Sequence, residues 1–243
     1  MRYALIIPAW NEAATLPDTL PKIQAAMAQV APAGFEGALI VVNNNSTDAT
    51  GEVAASLGAE VVFEPVNQIA KARNAGARRA ADMGVEAMVF VDADSHPSAE
   101  LLGAALGLLA DEKAVGGGAR LVMEPPPSLL FRLVLWLWNL FSGWRGLPAG
   151  CFVFCRRDAF EAAEGFPETV YASEEIWLGQ KLRAWGRAEG RSLPMVIIQE
   201  PPMTTSSRKL DRPWLTGGRM LVFVFFPWAV RWKKFCGHWY VRE

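Results

Sequence analysis

The chain has almost no surplus of either charge: 24 Lys and Arg stand against 25 Asp and Glu, for a formal net charge of -1. Without a basic surplus it cannot hold a nucleic-acid backbone by releasing counterions, so nucleic acid is not an expected partner. Histidine occurs twice and cysteine three times. Cys151 and Cys155 lie in the apolar run GCFVFCRR with no His or Cys pair beside them, which fits packing rather than a metal centre. No basic start, apolar run and small-residue cleavage site opens the chain, so a reducing cytoplasm is the expected compartment, with the inner face of the membrane as a further station. No run reaches the roughly 18 uninterrupted apolar residues of a membrane span. Two come partway: Leu129 to Trp144 (LLFRLVLWLWNLFSGW), and Met220 to Trp232 (MLVFVFFPWAVRW), which Pro227 breaks. Many of the ten Trp fall here, and they suit buried helices or elements lying at a membrane interface, with buried core the first expectation.

What is present is an apolar, patterned chain. With 243 residues, 51% hydrophobic and 20% charged, it can bury a sizeable core in one large domain with an extension. Tyr3 to Pro8, Ala38 to Val42, Glu60 to Phe63 and Met88 to Val91 read as short buried strands. Between them, Leu16, Leu20, Ile23, Met27 and Val30 recur at helical spacing, an Ala-rich helix takes Asp48 as its cap and Gly58 as its stop, and Ile69 to Met83 is a helix stopped by Gly84. Strands that are continuous apolar runs joined by helices indicate a parallel sheet covered on both faces, with ligands at the carboxyl ends of the strands. Trp10-Asn11-Glu12, Asn43-Asn44-Asn45-Ser46 and Asp92-Ala93-Asp94-Ser95 gather at those ends. After Pro97 come a helix from Ser98 to about Leu109, a Gly-rich strand, the Trp-rich segment, the strand CFVFCRR, a turn at Gly165 and Phe166, and a helix beginning near Ser173.

The order IIPAWNEAATL, VVNNNSTDAT, KARNAGARRA, FVDADS and SEEIWLGQKLRAWG, running from about Arg2 to Gly186, resembles the family 2 glycosyltransferases. That resemblance implies an α/β fold of GT-A type: a Rossmann-like mixed sheet flanked by helices, here with a Trp-rich insertion and a helical C-terminal extension. It implies residues 1–203 as the catalytic domain, 1–96 as its nucleotide-binding half, 97–203 as its acceptor-side half, and 204–243 as an extension that closes the donor site or contacts membrane. It implies transfer of a sugar from a nucleotide diphosphate sugar to an acceptor hydroxyl, metal dependent and inverting. A lipid-linked acceptor and peripheral membrane contact are suggested by the apolar segments.

A departing diphosphate must have its charge neutralised, and a divalent cation with oxygen ligands does this. By resemblance Asp94 is the ligand for Mn²⁺ or Mg²⁺, and Asp92 is poised for the ribose or a metal-bound water, flanking Ala93. Pro8 and Ala9 present backbone groups to the base, Glu12 orients the nucleoside, and Asn44 takes the base-contacting position. The family more often has an acidic pair where Asn43 and Asn44 stand; an amide both donates and accepts, which detaches the base from uracil. Lys71 and Arg73 begin a helix aimed at the donor, where cations meet phosphate oxygens, and Arg208 is the expected pyrophosphate contact beyond the last helix. Glu175 takes the position of the proposed base, with Glu174 before it; a helix N-terminus favours carboxylates for dipole reasons alone, so capping is the rival role.

Three other functions compete. A sugar nucleotidyltransferase would need a Gly-rich basic loop after the first strand, and PAWNEA is not one. A dinucleotide-dependent dehydrogenase would need G-x-G-x-x-G after a strand, which does not occur. A non-catalytic membrane-surface scaffold that kept the fold is the alternative from a different class, since Asn43, Asn44 and Glu175 all depart from the family pattern.

Overall fold

The computed structural model describes residues 1–188, 190, 192–206 and 231. Its elements follow in the order β1 (Arg2–Ala9), α1 (Leu16–Val30), β2 (Glu36–Asn43), α2 (Thr50–Ser56), β3 (Glu60–Phe63), α3 (Ile69–Asp82), β4 (Ala87–Val91) and β5 (Ser95–His96). The second half supplies α4 (Ala99–Ala110), β6 (Gly116–Glu124), α5 (Leu129–Arg145), β7 (Phe152–Arg156), α6 (Arg157–Ala162), α7 (Glu174–Ala188) and β8 (Met195–Ser206).

All eight strands join one sheet in the order β3-β2-β1-β4-β7-β6-β8-β5. The first four run parallel, whereas β7 pairs antiparallel with both β4 and β6, so the sheet is mixed. The parallel pairing expected from the apolar runs holds among the first four strands and recurs between β6 and β8, while β7 and β5 run against their neighbours. An apolar run such as CFVFC is buried on both faces in either direction and carries no sign of its polarity.

Alternation along β1 divides the core in two. Tyr3, Leu5 and Ile7 pack with Leu16, Leu20 and Ile23 of α1 and with Leu102 and Leu106 of α4 on one face. Ala4 and Ile6 pack with Ala72 and Ala80 of α3 and with Leu178 and Leu182 of α7 on the other. Helices on both faces leave the carboxyl edge of the parallel strands as the place where loops gather.

α3 lies close to the sheet because Gly76 has no side chain. A Cβ there would stand 2.4 Å from Ile6 Cγ2 and 2.9 Å from Val42 Cγ2. Both neighbours are wholly buried, and β-branched side chains turn poorly at χ1. Replacing a mid-helix Gly by Ala gains about 1 kcal/mol in propensity, but overpacking of this kind costs about 1–3 kcal/mol. Gly76→Ala is accordingly expected to lower the melting temperature by a few degrees in calorimetry, at about 2–4 °C per kcal/mol. A raised melting temperature would contradict the close approach.

Two expectations need correction. Asp48 does not cap α2 directly: the helix begins at Thr50 after Ala49, and Asp48 Oδ1 instead accepts from Thr50 N at 3.0 Å as a turn before it. More consequential, the Trp-rich helix α5 is not buried core. Part of it is covered, with Leu135 and Trp138 packed on the sheet and Phe131 half-buried, while most of its other described large apolar side chains, from Leu133 to Trp144, are exposed. Sequence could not distinguish these because almost every position of the helix is apolar, leaving no polar face to mark the side toward water. No described helix is long and apolar enough to cross a membrane.

Candidate active site

Parallel register sets Ala9 opposite Asn43, so the loops after β1 and β2 leave the sheet together and are laced to each other. Asn11, at a left-handed φ of 53°, donates its N–H to Ser46 Oγ (3.0 Å) and accepts at Oδ1 from Thr47 N (2.8 Å). Glu12 N donates to Thr50 Oγ1 at 2.9 Å, and the Glu12 side chain is buried. Pro8 and Ala9 end β1 beneath these loops, with the Ala9 carbonyl accepting from Asn44 N at 2.8 Å. Asn43 Oδ1 accepts from Ser46 N (3.0 Å) and Asn45 has φ 59°, so these two serve the turn itself.

Asn44 is expected to read a base, and the structure assigns its amide elsewhere. The side chain is buried; with the amide turned to satisfy both of its neighbours, its nitrogen donates to the Val66 carbonyl at 2.7 Å and its oxygen accepts from Gln68 N at 3.3 Å. A carboxylate here would set an acceptor against the Val66 carbonyl, whereas an amide satisfies both groups. That is a local reason for amide chemistry where the family pattern is acidic, and it makes Asn44 the anchor of the 66–68 segment. Gln68 extends this anchor, donating from Nε2 to the carbonyls of Glu168 (2.8 Å) and Val170 (3.0 Å).

Asp92-Ala93-Asp94 forms the turn from β4 to β5, and neighbouring elements fix it. Ser95 N donates to Asp92 O at 3.0 Å, Thr19 Oγ1 of α1 donates to Ala93 O at 2.9 Å, and Ser95 Oγ lies 2.7 Å from Thr205 Oγ1 of β8. Ser95 Oγ also donates to Asp94 Oδ1 at 3.3 Å. Asp94 is buried, while Asp92 keeps 23% of its side chain exposed. Carboxylate oxygens are the hard donors that Mg²⁺ and Mn²⁺ accept, and both cations complete their shells with water and phosphate oxygens. The donor chemistry of the turn fits such a cation, with Asp94 and Asp92 as the residues that would hold it. Among the described residues no group of three His, Cys, Asp or Glu forms a protein cage for a metal.

Arg73 is the centre of the site, and its role differs from the one expected. It is 1% exposed. Its Nη1 donates to Glu174 Oε1 at 2.7 Å, and its Nη2 donates to Asp92 Oδ1 at 3.0 Å and to the Gly150 carbonyl at 2.6 Å. The guanidinium also lies 5.2 Å from the Phe166 ring centroid. A cation so enclosed cannot reach phosphate oxygens; its planar fork instead ties the β4 turn to the start of α7. Lys71, expected at phosphate too, meets Glu168 Oε2 at 2.9 Å, and Glu168 Oε1 accepts from Asn74 Nδ2 at 3.0 Å. Arg78 and Arg79 lie on the outer surface, the latter paired with Glu60 at 3.0 Å.

Glu174 and Glu175 open α7, where the helix dipole favours a negative charge. Three carboxylates, Asp92, Glu174 and Glu175, surround the single positive charge of Arg73. Burial, and then the charge of Glu174 beside it, together push Glu175 up to about 8 against the opposing attraction of Arg73. Burial also raises Glu174, against the attraction of Arg73. Arg73 is itself held more firmly protonated by Glu174 and Asp92 against its own desolvation. The cluster thus retains a proton near neutrality and can accept or release it without a large change of pH.

Sequence reasoning missed Gly150, Phe166, Thr19 and Gln68. Three act through a backbone carbonyl, a ring face or a hydroxyl, and none belongs to a spacing that a motif could flag. Arg208 and, except for Arg231, the Met220 to Trp232 run lie outside the described residues.

A model of the family described as glycosyl transferase family 2 matches residues 4–141, more than half of the chain. Curated relatives include uncharacterized glycosyltransferases of Mycobacterium bovis and Mycobacterium tuberculosis, 37% identical over 95 residues. That alignment covers 39% of this chain and 38% of theirs, so the chain matches well under half the length of these relatives. Among solved structures, the mannosyltransferase PcManGT of Pyrobaculum calidifontis, in complex with GDP-Man and Mn²⁺, superposes with a TM-score of 0.68 at 21% identity, covering 95% of this chain and 64% of that one. Glucosyl-3-phosphoglycerate synthase of Mycobacterium tuberculosis, in complex with Mn²⁺, UDP and phosphoglyceric acid, does so with a TM-score of 0.59 at 17% identity, covering 92% and 77%. These neighbours share the fold, a mixed sheet flanked by helices of GT-A type.

Proposed function

The chain belongs to glycosyl transferase family 2, and from that footing we propose that it transfers a sugar from a nucleoside diphosphate sugar to an acceptor hydroxyl with inversion at the anomeric carbon. The observation that carries the proposal is the Arg73 junction: one buried guanidinium joins the carboxylate turn on the donor side to the paired glutamates opening α7. The halves 1–96 and 97–203 of a catalytic domain meet there, with 204–243 as its extension.

In this mechanism the 8–12 and 43–50 loops hold the nucleoside between them, and Asn44 and Gln68 support the wall beside it. Asp94 and Asp92 would hold Mn²⁺ or Mg²⁺, which when bound would neutralise the charge of the diphosphate. The acceptor oxygen attacks the anomeric carbon from the face opposite the diphosphate, the carbon–oxygen bond to the diphosphate breaks with its electron pair, and Glu175 takes the acceptor proton. Arg73 positions this base by holding its neighbour Glu174, and it keeps Asp92 oriented at the turn. The acceptor is assigned to the lipid-linked class, supported by the exposed apolar helix α5, whose exit loop ends on Gly150 beside Arg73.

A panel of GDP-, UDP-, CDP- and dTDP-linked sugars is expected to contain at least one from which the protein releases nucleoside diphosphate with Mn²⁺ or Mg²⁺ and not with EDTA. No release from any member would favour a chain that kept the fold without the reaction.

A further inference from the structure

The polarity of α5 is turned inside out. Its two uncharged polar side chains face the protein: Asn139 makes a pair of bonds to the Leu121 backbone, 3.0 and 2.9 Å, and the buried Ser142 donates to the Leu147 carbonyl at 2.6 Å. Its large apolar side chains face away, with Leu129 80%, Trp144 76%, Leu140 61% and Trp136 60% exposed. A helix of a water-soluble surface does the reverse. At about 100° per residue, these outward side chains run from Trp136 through Leu140 and Trp144 to Val134, a stripe about 160° wide. Arg132 and Arg145, both exposed, border it on either side. From Pro125 to Pro148 there is no Lys, Asp or Glu, so these two arginines are the whole charge of the segment.

We propose that the outer face of α5 is a docking surface for an anionic lipid bilayer, on which the helix lies in the plane of the interface. Its length, about 26 Å at 1.5 Å per residue, suits lying on a bilayer. A broad apolar face with tryptophans sinks to the boundary of headgroups and chains, and arginines at its edges reach back to the phosphates. Arg145 is already placed for this, 5.3 Å from the Trp144 ring centroid. The charge selects the occupant: two cations without an anion complement acidic headgroups, whereas a second copy of the same face would bring like charges together. The docking is independent of the transfer reaction, because a bilayer can hold the protein whatever its donor or acceptor.

Flotation of the full chain with vesicles of phosphatidylcholine and phosphatidylglycerol is expected to carry it into the lipid fraction. Replacing Trp136, Leu140 and Trp144 together by Ser should lower the bound fraction about ten-fold or more, with the melting temperature unchanged because all three are exposed. Arg132→Glu with Arg145→Glu should weaken binding to the same vesicles about ten-fold and have little effect with phosphatidylcholine alone. The proposal is overturned if the native chain stays with the buffer, or if the triple variant floats as well as the native chain. It is equally overturned if the native chain fails to float but forms a dimer that the triple variant dissociates, which would give the face to a second copy. Nucleoside diphosphate binding, measured on the same samples, reports separately on the transfer reaction.

Discussion

Glu175→Gln is expected to lower sugar transfer by about 10²–10⁴-fold while leaving nucleoside diphosphate affinity nearly unchanged. Gln keeps the size of the side chain and the start of α7 but cannot take a proton. Glu174 cannot substitute, because its carboxylate is bound to Arg73 at 2.7 Å. The native chain should also show the proposed base in its pH profile: Glu175, pushed up to about 8, is protonated below that value and cannot take the acceptor proton, so transfer should rise as pH increases through about 8. The same shift has a consequence for stability. Glu175 is raised above its ordinary 4.5, so the folded chain binds more protons than the unfolded chain between these values. Its contribution is therefore full below about 4.5, and is lost as pH rises toward 8. Glu175→Gln should flatten both curves, measured by initial rates and by thermal melts across pH. A variant that transfers at the native rate would leave Glu175 as a helix-end charge and nothing more.

Asp94→Ala is expected to weaken metal-supported nucleoside diphosphate binding sharply. Asp94 is buried in a turn held by Thr19, Ser95 and the pairing of β5 with β8, so its carboxylate is fixed in place by the fold. Losing one of two carboxylate donors should weaken metal-dependent nucleoside diphosphate binding and transfer by about 100-fold or more, equivalent to about 2.7 kcal/mol or above. Asp92 cannot compensate fully, because one of its oxygens is engaged by Arg73. Isothermal titration with and without Mn²⁺, with a thermal melt to confirm folding, separates this from a loss of structure. Metal-dependent binding retained within a factor of two would remove Asp94 from the site.

How much of this was legible in the sequence depends on which atoms did the work. Continuous apolar runs located β1, β2, β3 and β4, and the motifs fixed the loops after them, since parallel strands in register bring their carboxyl ends together. Direction escaped detection in β7, where four successive buried positions look alike from either end. Arg73 was visible as a cation near the donor, but its burial and its carboxylate partners, 19 and 101 residues away in sequence, depend on tertiary packing. Asn44 shows the opposite case. The departure from an acidic pattern was plain in the sequence, and its cause, a carbonyl at Val66 facing the side chain, was not. On α5 the composition announced an unusual helix, while its outward orientation followed from where Asn139 and Ser142 find their partners.

Calorimetric titration of the native chain with GDP, UDP, CDP and dTDP, in Mn²⁺ and then in EDTA, tests the central claim most directly. At least one of the four is expected to bind in Mn²⁺ and to lose that binding in EDTA. Failure of all four to bind in Mn²⁺, with the chain folded, would contradict it.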